Sequence, residues 1–252
     1  MLRKIFILIS LTQFAYASEN LEPEDSQFSG EIMGGYTHLV LNYLSAAYSD
    51  DAVVRLIGFP SFSPEYALWV ERKEEKYQII YQSPEMQLWG YQMIPMMEQG
   101  AVQVMNDEGE FVKDEEGLAE LESKYPKTPE EIPRKSCSKK IDKDLAEQII
   151  FVWQEMLLET KYPRDMTMGL DGETYHFSGS VNGFGNYAGK VWSPNPKSRT
   201  GKLVEIAYLM TDYCLKGKRK IRKELVKKTE SFVNQLKSTN KSMQPTANAS
   251  AD

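Results

Sequence analysis

Acid-base chemistry in this chain must run through few groups, because it holds only two histidines, His38 and His176. Imidazole is the one side chain whose ordinary pKa lets it exchange a proton near neutrality. His176 lies in "TMGLDGETYHFSGS", Thr167 to Ser180, beside an Asp-Gly pair and a run of hydroxyls. Asp171-Gly172 between two alternating runs is the favoured signal for a two-residue type I′ hairpin turn. That register pairs Leu170 with Glu173, Met168 with Tyr175, Thr167 with His176, Met166 with Phe177 and Asp165 with Ser178. One face then carries Leu170, Met168, Met166, Tyr175 and Phe177, and the other carries Asp165, Thr167, Thr174, His176 and Ser178.

Asp165 falls diagonally across from His176, about 7 to 8 Å between backbones, a gap long side chains can close. Ser178 is two residues along the same strand, about 6.6 Å by rise, so a Ser-His-Asp triad is poorly made. Glu173 points to the face opposite His176, which rules out a Glu-His pair within the strand. The candidate catalytic groups are therefore His176, Asp165 and Ser178, set against the plainer reading of a solvated polar face on an antiparallel sheet.

Other chemistry is sparser. His38 falls in a helix between Tyr36 and Leu39, and no HExxH or CxxC spacing gathers ligands, so no metal and no cofactor is expected. The glycines of "NGFGNYAGK" do not run directly into a helix, as a phosphate-cradling loop must, because "VWSPNP" intervenes. A better place for an anion is the next helix start, where Arg199 and Lys202 flank a cap at Thr200 or Ser198 and free amides add positive potential. Trp192 supplies a flat contact nearby. The candidate binding residues are thus Thr167, His176, Trp192, Arg199 and Lys202.

The elements that must position these groups follow from periodicity. Leu39, Val40, Tyr43, Leu44 and Ala47 mark a first helix, and "AVVRLIGF" a short strand stopped by Pro60. "PEYALWVERKEEKYQIIYQSPE" reads as a hairpin with Tyr66, Leu68 and Val70 on one face, a turn at "RKEEK", and Tyr77, Ile79 and Tyr81 resuming the alternation. "MQLWGYQMIPMME" reads as a further strand. Leu145, Ile149, Val152, Met156 and Leu157 stripe a central helix over Asp142–Thr160. The hairpin about Asp171-Gly172 follows, then a Gly-, Pro- and Asn-rich connection. Two helical stretches close the fold, one with Leu203, Ile206, Ala207, Met210 and Cys214 on one side, the other with Ile221, Leu225, Phe232, Val233 and Leu236. The expected class is α+β: antiparallel hairpins packed with three or four helices.

The ends bound the destination. "MLRKIFILISLTQFAYA", residues 1–17, has two early cations, a short apolar run and a small-x-small end, the layout of a secretory signal peptide. No segment approaches the roughly 20 apolar residues of a spanning helix, so no transmembrane anchor is expected. The domain reading is a flexible start over 18–30, one α+β domain over 31–237 and a disordered tail over 238–252. An acidic insertion near 106–131 interrupts that domain. The expected localisation is periplasmic or secreted. In that oxidising setting the two cysteines, Cys137 and Cys214, read as a disulfide.

The formal charge of −6 argues against nucleic-acid binding. It is unevenly spread: Asn106 to Glu131 holds ten carboxylates against three lysines, and Lys216 to Lys228 holds eight basic residues against Glu224. The basic helix 216–228 suits peripheral contact with an anionic surface or an acidic partner.

"FPSFSPEYALWV", and the stretch from "MLLETKYP" through "LDGETYHFSG" and "WSPNPKSRTGKLVEIA" to "YC", resemble a group of uncharacterised exported bacterial proteins. The resemblance covers Phe59 to Cys214 and implies no activity. The tail "KSMQPTANASAD" is similar to the ends of integron gene-cassette reading frames. Two functions are expected to compete: a binding or interaction protein of the cell envelope, such as an inhibitor or accessory factor for an unknown protein or envelope component, and an envelope hydrolase using His176.

Overall fold

The computed structural model describes residues 19–24, 31–91, 103–106, 110–124, 126, 128–163, 171–181, 183 and 185–243. In chain order these form β1 (Glu22–Pro23), α1 (Glu31–Tyr43), a 3₁₀ turn (Ser45–Tyr48), β2 (Ala52–Pro60), β3 (Tyr66–Lys73) and β4 (Lys76–Pro84). A small hairpin β5 (Gln103–Met105) and β6 (Phe111–Lys113) follows, then α2 (Glu115–Lys124) and a 3₁₀ turn (Pro129–Glu131). The remainder is β7 (Arg134–Ile141), α3 (Lys143–Leu158), β8 (Glu173–Val181), β9 (Gly185–Trp192), α4 (Arg199–Lys216) and α5 (Arg219–Met243). No described helix is long and apolar enough to cross a membrane.

Seven strands make one antiparallel sheet in the order β1-β9-β8-β2-β3-β4-β7. The expected α+β class holds, and so does the first hairpin. Leu68 pairs with Tyr81, Val70 with Ile79 and Arg72 with Tyr77, around a turn in which Glu74 takes φ 57°. One face of the sheet, with Val54, Leu56, Leu68, Val70, Ile79 and Phe177, packs against the apolar stripes of α3, α4 and α5. The other face buries Ile57, Ala67 and Trp69 against Val40, Tyr43 and Leu44 of the first helix region, Leu88 and Ile132. The near-continuous apolar run Tyr66–Val70 reflects this double burial. Asp142 caps α3 by accepting from the Leu145 amide, and Ser198 caps α4 by accepting from Gly201. Cys137 of β7 and Cys214 of α4 form the expected disulfide, with Cα atoms 5.8 Å apart. It ties α4 to an edge strand of the sheet.

Five expectations change. The Asp171-Gly172 bend does not fold into the expected hairpin: β8 is flanked by β2 on one side and β9 on the other, His176 standing between Ile57 and Lys190. Both edges of β8 are thereby filled. Asp165 and Thr167 lie outside the described residues. The connection after Val181 instead holds strand β9, with Gly183 and Gly185 at φ 81° and 91°. Leu88–Tyr91, expected in a strand, make a helical turn closed by the Tyr91 amide donating to Gln87 O at 3.0 Å. Glu19–Glu24, expected within a flexible start, instead hold an extended course, because Leu21 is fully buried in the helix-side core and Glu22 and Pro23 pair with β9. At the other end α5 carries helix through Met243, into the stretch expected to be a disordered tail.

Candidate functional site

The alternation that the sequence implies for β8 survives its change of partners. Tyr175 and Phe177 face the helices, and Thr174, His176 and Ser178 face the other way. Three rungs run across β9, β8 and β2 on that second face: Trp192–Thr174–Phe59, Lys190–His176–Ile57 and Ala188–Ser178–Arg55. The His176 ring lies 4.9 Å from the Phe59 ring, and its Nδ1 is 2.9 Å from Glu24 Oε1. The carboxylate partner of His176 is thus Glu24. Its carboxyl is held below the ordinary glutamate value, chiefly by the His176 hydrogen bond, against the opposing effect of burial and with help from Lys190. Tyr48 completes the group: burial first, then the Glu24 charge, pushes its phenol up to about 12, and Arg55 stacks 4.8 Å over its ring. Ser178 is one rung away, paired with Arg55 and Ala188, so His176 and Ser178 do not form a nucleophile-base pair.

The predicted anion position at the start of α4 also holds a carboxylate of the chain itself. The Arg199 amide donates to Glu19 Oε2 at 3.0 Å, and the Arg199 guanidinium forks onto Glu159, Nη2 to Oε1 at 2.8 Å. Lys202 turns away to donate to Gln235 Oε1 at 2.6 Å. Trp192 lays its indole over Gly172, where a Cβ would stand 2.8 Å from Nε1. The structure therefore links His176 and Arg199 through one short acidic segment and sets Lys202 and Trp192 apart from them.

The basic run divides in two. Gly217, left-handed at φ 62°, ends α4, and α5 starts at Arg219. Arg222 pairs with the cap residue Asp142, and Lys228 with Glu205 at 2.6 Å. Lys218, Arg219, Lys220 and Lys223 are exposed. Lys139 of β7 joins them, its Nζ 3.0 Å from where a Cβ on Gly217 would lie and 5.9 Å from the Tyr213 ring. The disulfide braces this cationic corner from below.

A further cluster escapes the sequence reading. On the helix-side face, Glu173 Oε2 accepts from Tyr208 Oη at 2.9 Å and from Tyr175 Oη at 3.1 Å, and the two phenol oxygens are 2.6 Å apart. The carboxylate and the two phenols thus close a hydrogen-bonded triangle that runs from buried Tyr175 to half-exposed Tyr208. Tyr66 Oη and Glu173 Oε1 are sealed from solvent within electrostatic reach of each other, without a hydrogen bond of good geometry. Burial raises all three phenols, Tyr208 to about 12, which keeps them neutral. The period-two spacing of Glu173 and Tyr175 places them on one face; Tyr66 and Tyr208 arrive by long-range packing that no local pattern announces. Glu65, fully buried, instead anchors structure by accepting from the Leu88 and Trp89 amides at 2.8 and 3.3 Å.

The chain matches no protein-family model, no curated protein and no solved structure.

Proposed function

We propose that the protein is an exported binding protein of the cell envelope, in the periplasm or beyond, that meets an anionic envelope component through its cationic corner. The observation that carries this is the gathering of Lys139, Lys218, Arg219, Lys220 and Lys223 at one braced junction, where neighbouring Arg222 and Lys228 are already paired. Each such cation near an anionic surface contributes about 1 kcal/mol, and salt screens it. The Cys137–Cys214 disulfide fits the oxidising compartment this reading requires. Co-sedimentation with phosphatidylglycerol vesicles tests it: binding at low salt should fall steeply at high salt and vanish on Lys218→Glu, Arg219→Glu, Lys220→Glu with unchanged melting. Equal binding to neutral phosphatidylcholine vesicles, or none to either, defeats the reading.

One observation favours a second reading, an envelope hydrolase: the Glu24–His176 hydrogen bond, which orients the imidazole as an acid-base group would need. Without a serine in contact, His176 would activate water. Activity on ester, peptide or glycan substrates should then fall about 100-fold or more in His176→Ala at unchanged stability. Turnover retained in that variant rules the imidazole out.

A further inference from the structure

The two outer edges of the sheet are treated differently. β7 carries Arg134, Lys135, Lys139 and Lys140, the charged defence usual for an edge strand. β9, "GNYAGKVW", has one charge, Lys190, and β1 pairs only with its Gly189 and Lys190. The strap Glu19–Glu24 that supplies β1 is seated as a peptide ligand would be. Leu21 enters the helix-side core, Leu21 O accepts from the Lys161 amide at 2.9 Å, and Asn20 Nδ2 donates to Glu159 O at 3.1 Å. Glu19 sits on the Arg199 amide, Glu22 opposite Lys190 and Glu24 on His176.

The slot is built for close approach by an extended backbone. A Cβ on Gly189 would stand 2.9 Å from Leu21 Cβ and 3.2 Å from Glu22 O, so only glycine admits the strap. The strap nevertheless leaves groups unmet: Thr160 Oγ1, 2.9 Å from that same Cβ position, and Arg199 Nε are both buried with no hydrogen-bond partner among the described residues.

We infer that the β9 edge, with Arg199, Thr160 and His176, is a binding site for an extended acidic peptide of another protein, and that the strap is its resident, exchangeable occupant. An incoming strand can lengthen the ladder along Tyr187–Ala188 and Val191–Trp192, which β1 does not pair. It would place an apolar residue where Leu21 lies, and carboxylates two residues before and three after it. The site shares no residue with the cationic corner, so either stands if the other fails.

The probe is a fluorescent peptide of the strap sequence, Ser-Glu-Asn-Leu-Glu-Pro-Glu-Asp, titrated into the whole protein. Leu21→Asp, which unseats the resident strap, should bind it on the order of tenfold more tightly than the wild type. Peptide with Gln for both the Glu19 and Glu24 equivalents, or His176→Ala added to Leu21→Asp, should lose about fivefold. No saturable binding to folded Leu21→Asp overturns the proposal. If that variant unfolds, wild type with millimolar peptide decides: His176 ring resonances that shift and saturate support it, and unmoved ones overturn it. A dimer formed by Leu21→Asp with wild type, at the expense of peptide binding, assigns the edge to a second copy and equally overturns it.

Discussion

Gly58 lies in β2 between Tyr66 and Tyr175. A Cβ there would stand 2.3 Å from Tyr66 Cε1 and 2.9 Å from Glu173 Oε1, so the bare backbone makes the room in which phenol and carboxylate meet. A ring packed into a core cannot withdraw as a flexible chain end would. Gly58→Ala should therefore cost about 2 kcal/mol from overpacking and lower the melting temperature by several degrees, read by calorimetry. A neutral result would mean the Tyr66 ring moves freely. Glu24 offers a second test. Its carboxyl titrates below the ordinary value when folded, so its stabilisation is complete above the ordinary glutamate range and disappears as pH falls through the lowered folded value. Wild type should then be more stable than Glu24→Gln near neutrality, and their denaturant midpoints should converge under acid. A gap that persists at low pH would show that the carboxylate charge does not hold the strap.

At the scale of elements, what the sequence shows locally is what the structure keeps. The β3–β4 hairpin is legible because two alternating runs flank a charged two-residue turn. The stripe of α3 and its Asp142 cap are legible for the same reason, each lying within one window of sequence. β8 misleads because a valid turn signal at Asp171-Gly172 competes with partners that the local sequence cannot display: Ile57 lies far upstream, and β9 is masked by its glycines. Those glycines have other work, turning the chain at 183 and 185 and admitting the strap at 189. The strap itself reads as polar filler by composition, yet "ENLEPE" alternates, with Leu21 inward and Glu22 and Glu24 outward. The same alternation makes the His176 face legible without its neighbours. Its side of the sheet follows from period two, whereas Glu24 and Lys190 depend on which strands lie beside β8.

At the scale of the whole molecule, the disulfide joins the outermost strand of the sheet to the layer of helices. Cys137 and Cys214, 77 positions apart, enclose α3, β8, β9 and most of α4, so the closed loop includes much of both layers. Cross-linking a loop of that length removes about 4.5 kcal/mol of unfolded-state freedom on the chain-entropy account. Domain stabilities are about 5 to 15 kcal/mol, so the bond contributes a large fraction. Reduction, or Cys137→Ser with Cys214→Ser, should lower the guanidinium midpoint sharply while leaving a folded population at low denaturant. β7 has a strand, β4, on one side only, and its covalent tie to the helix layer is this bond. Its amides should accordingly exchange hydrogen faster than those of β2 and β3 once the bond is cut. The cationic corner, which depends on β7 and α4 staying together, should then lose vesicle binding before the core unfolds. An unchanged midpoint with unchanged β7 protection would mean that Ile141 and the β4 ladder hold the strand without the bond, and that the corner needs no oxidising compartment to keep its shape.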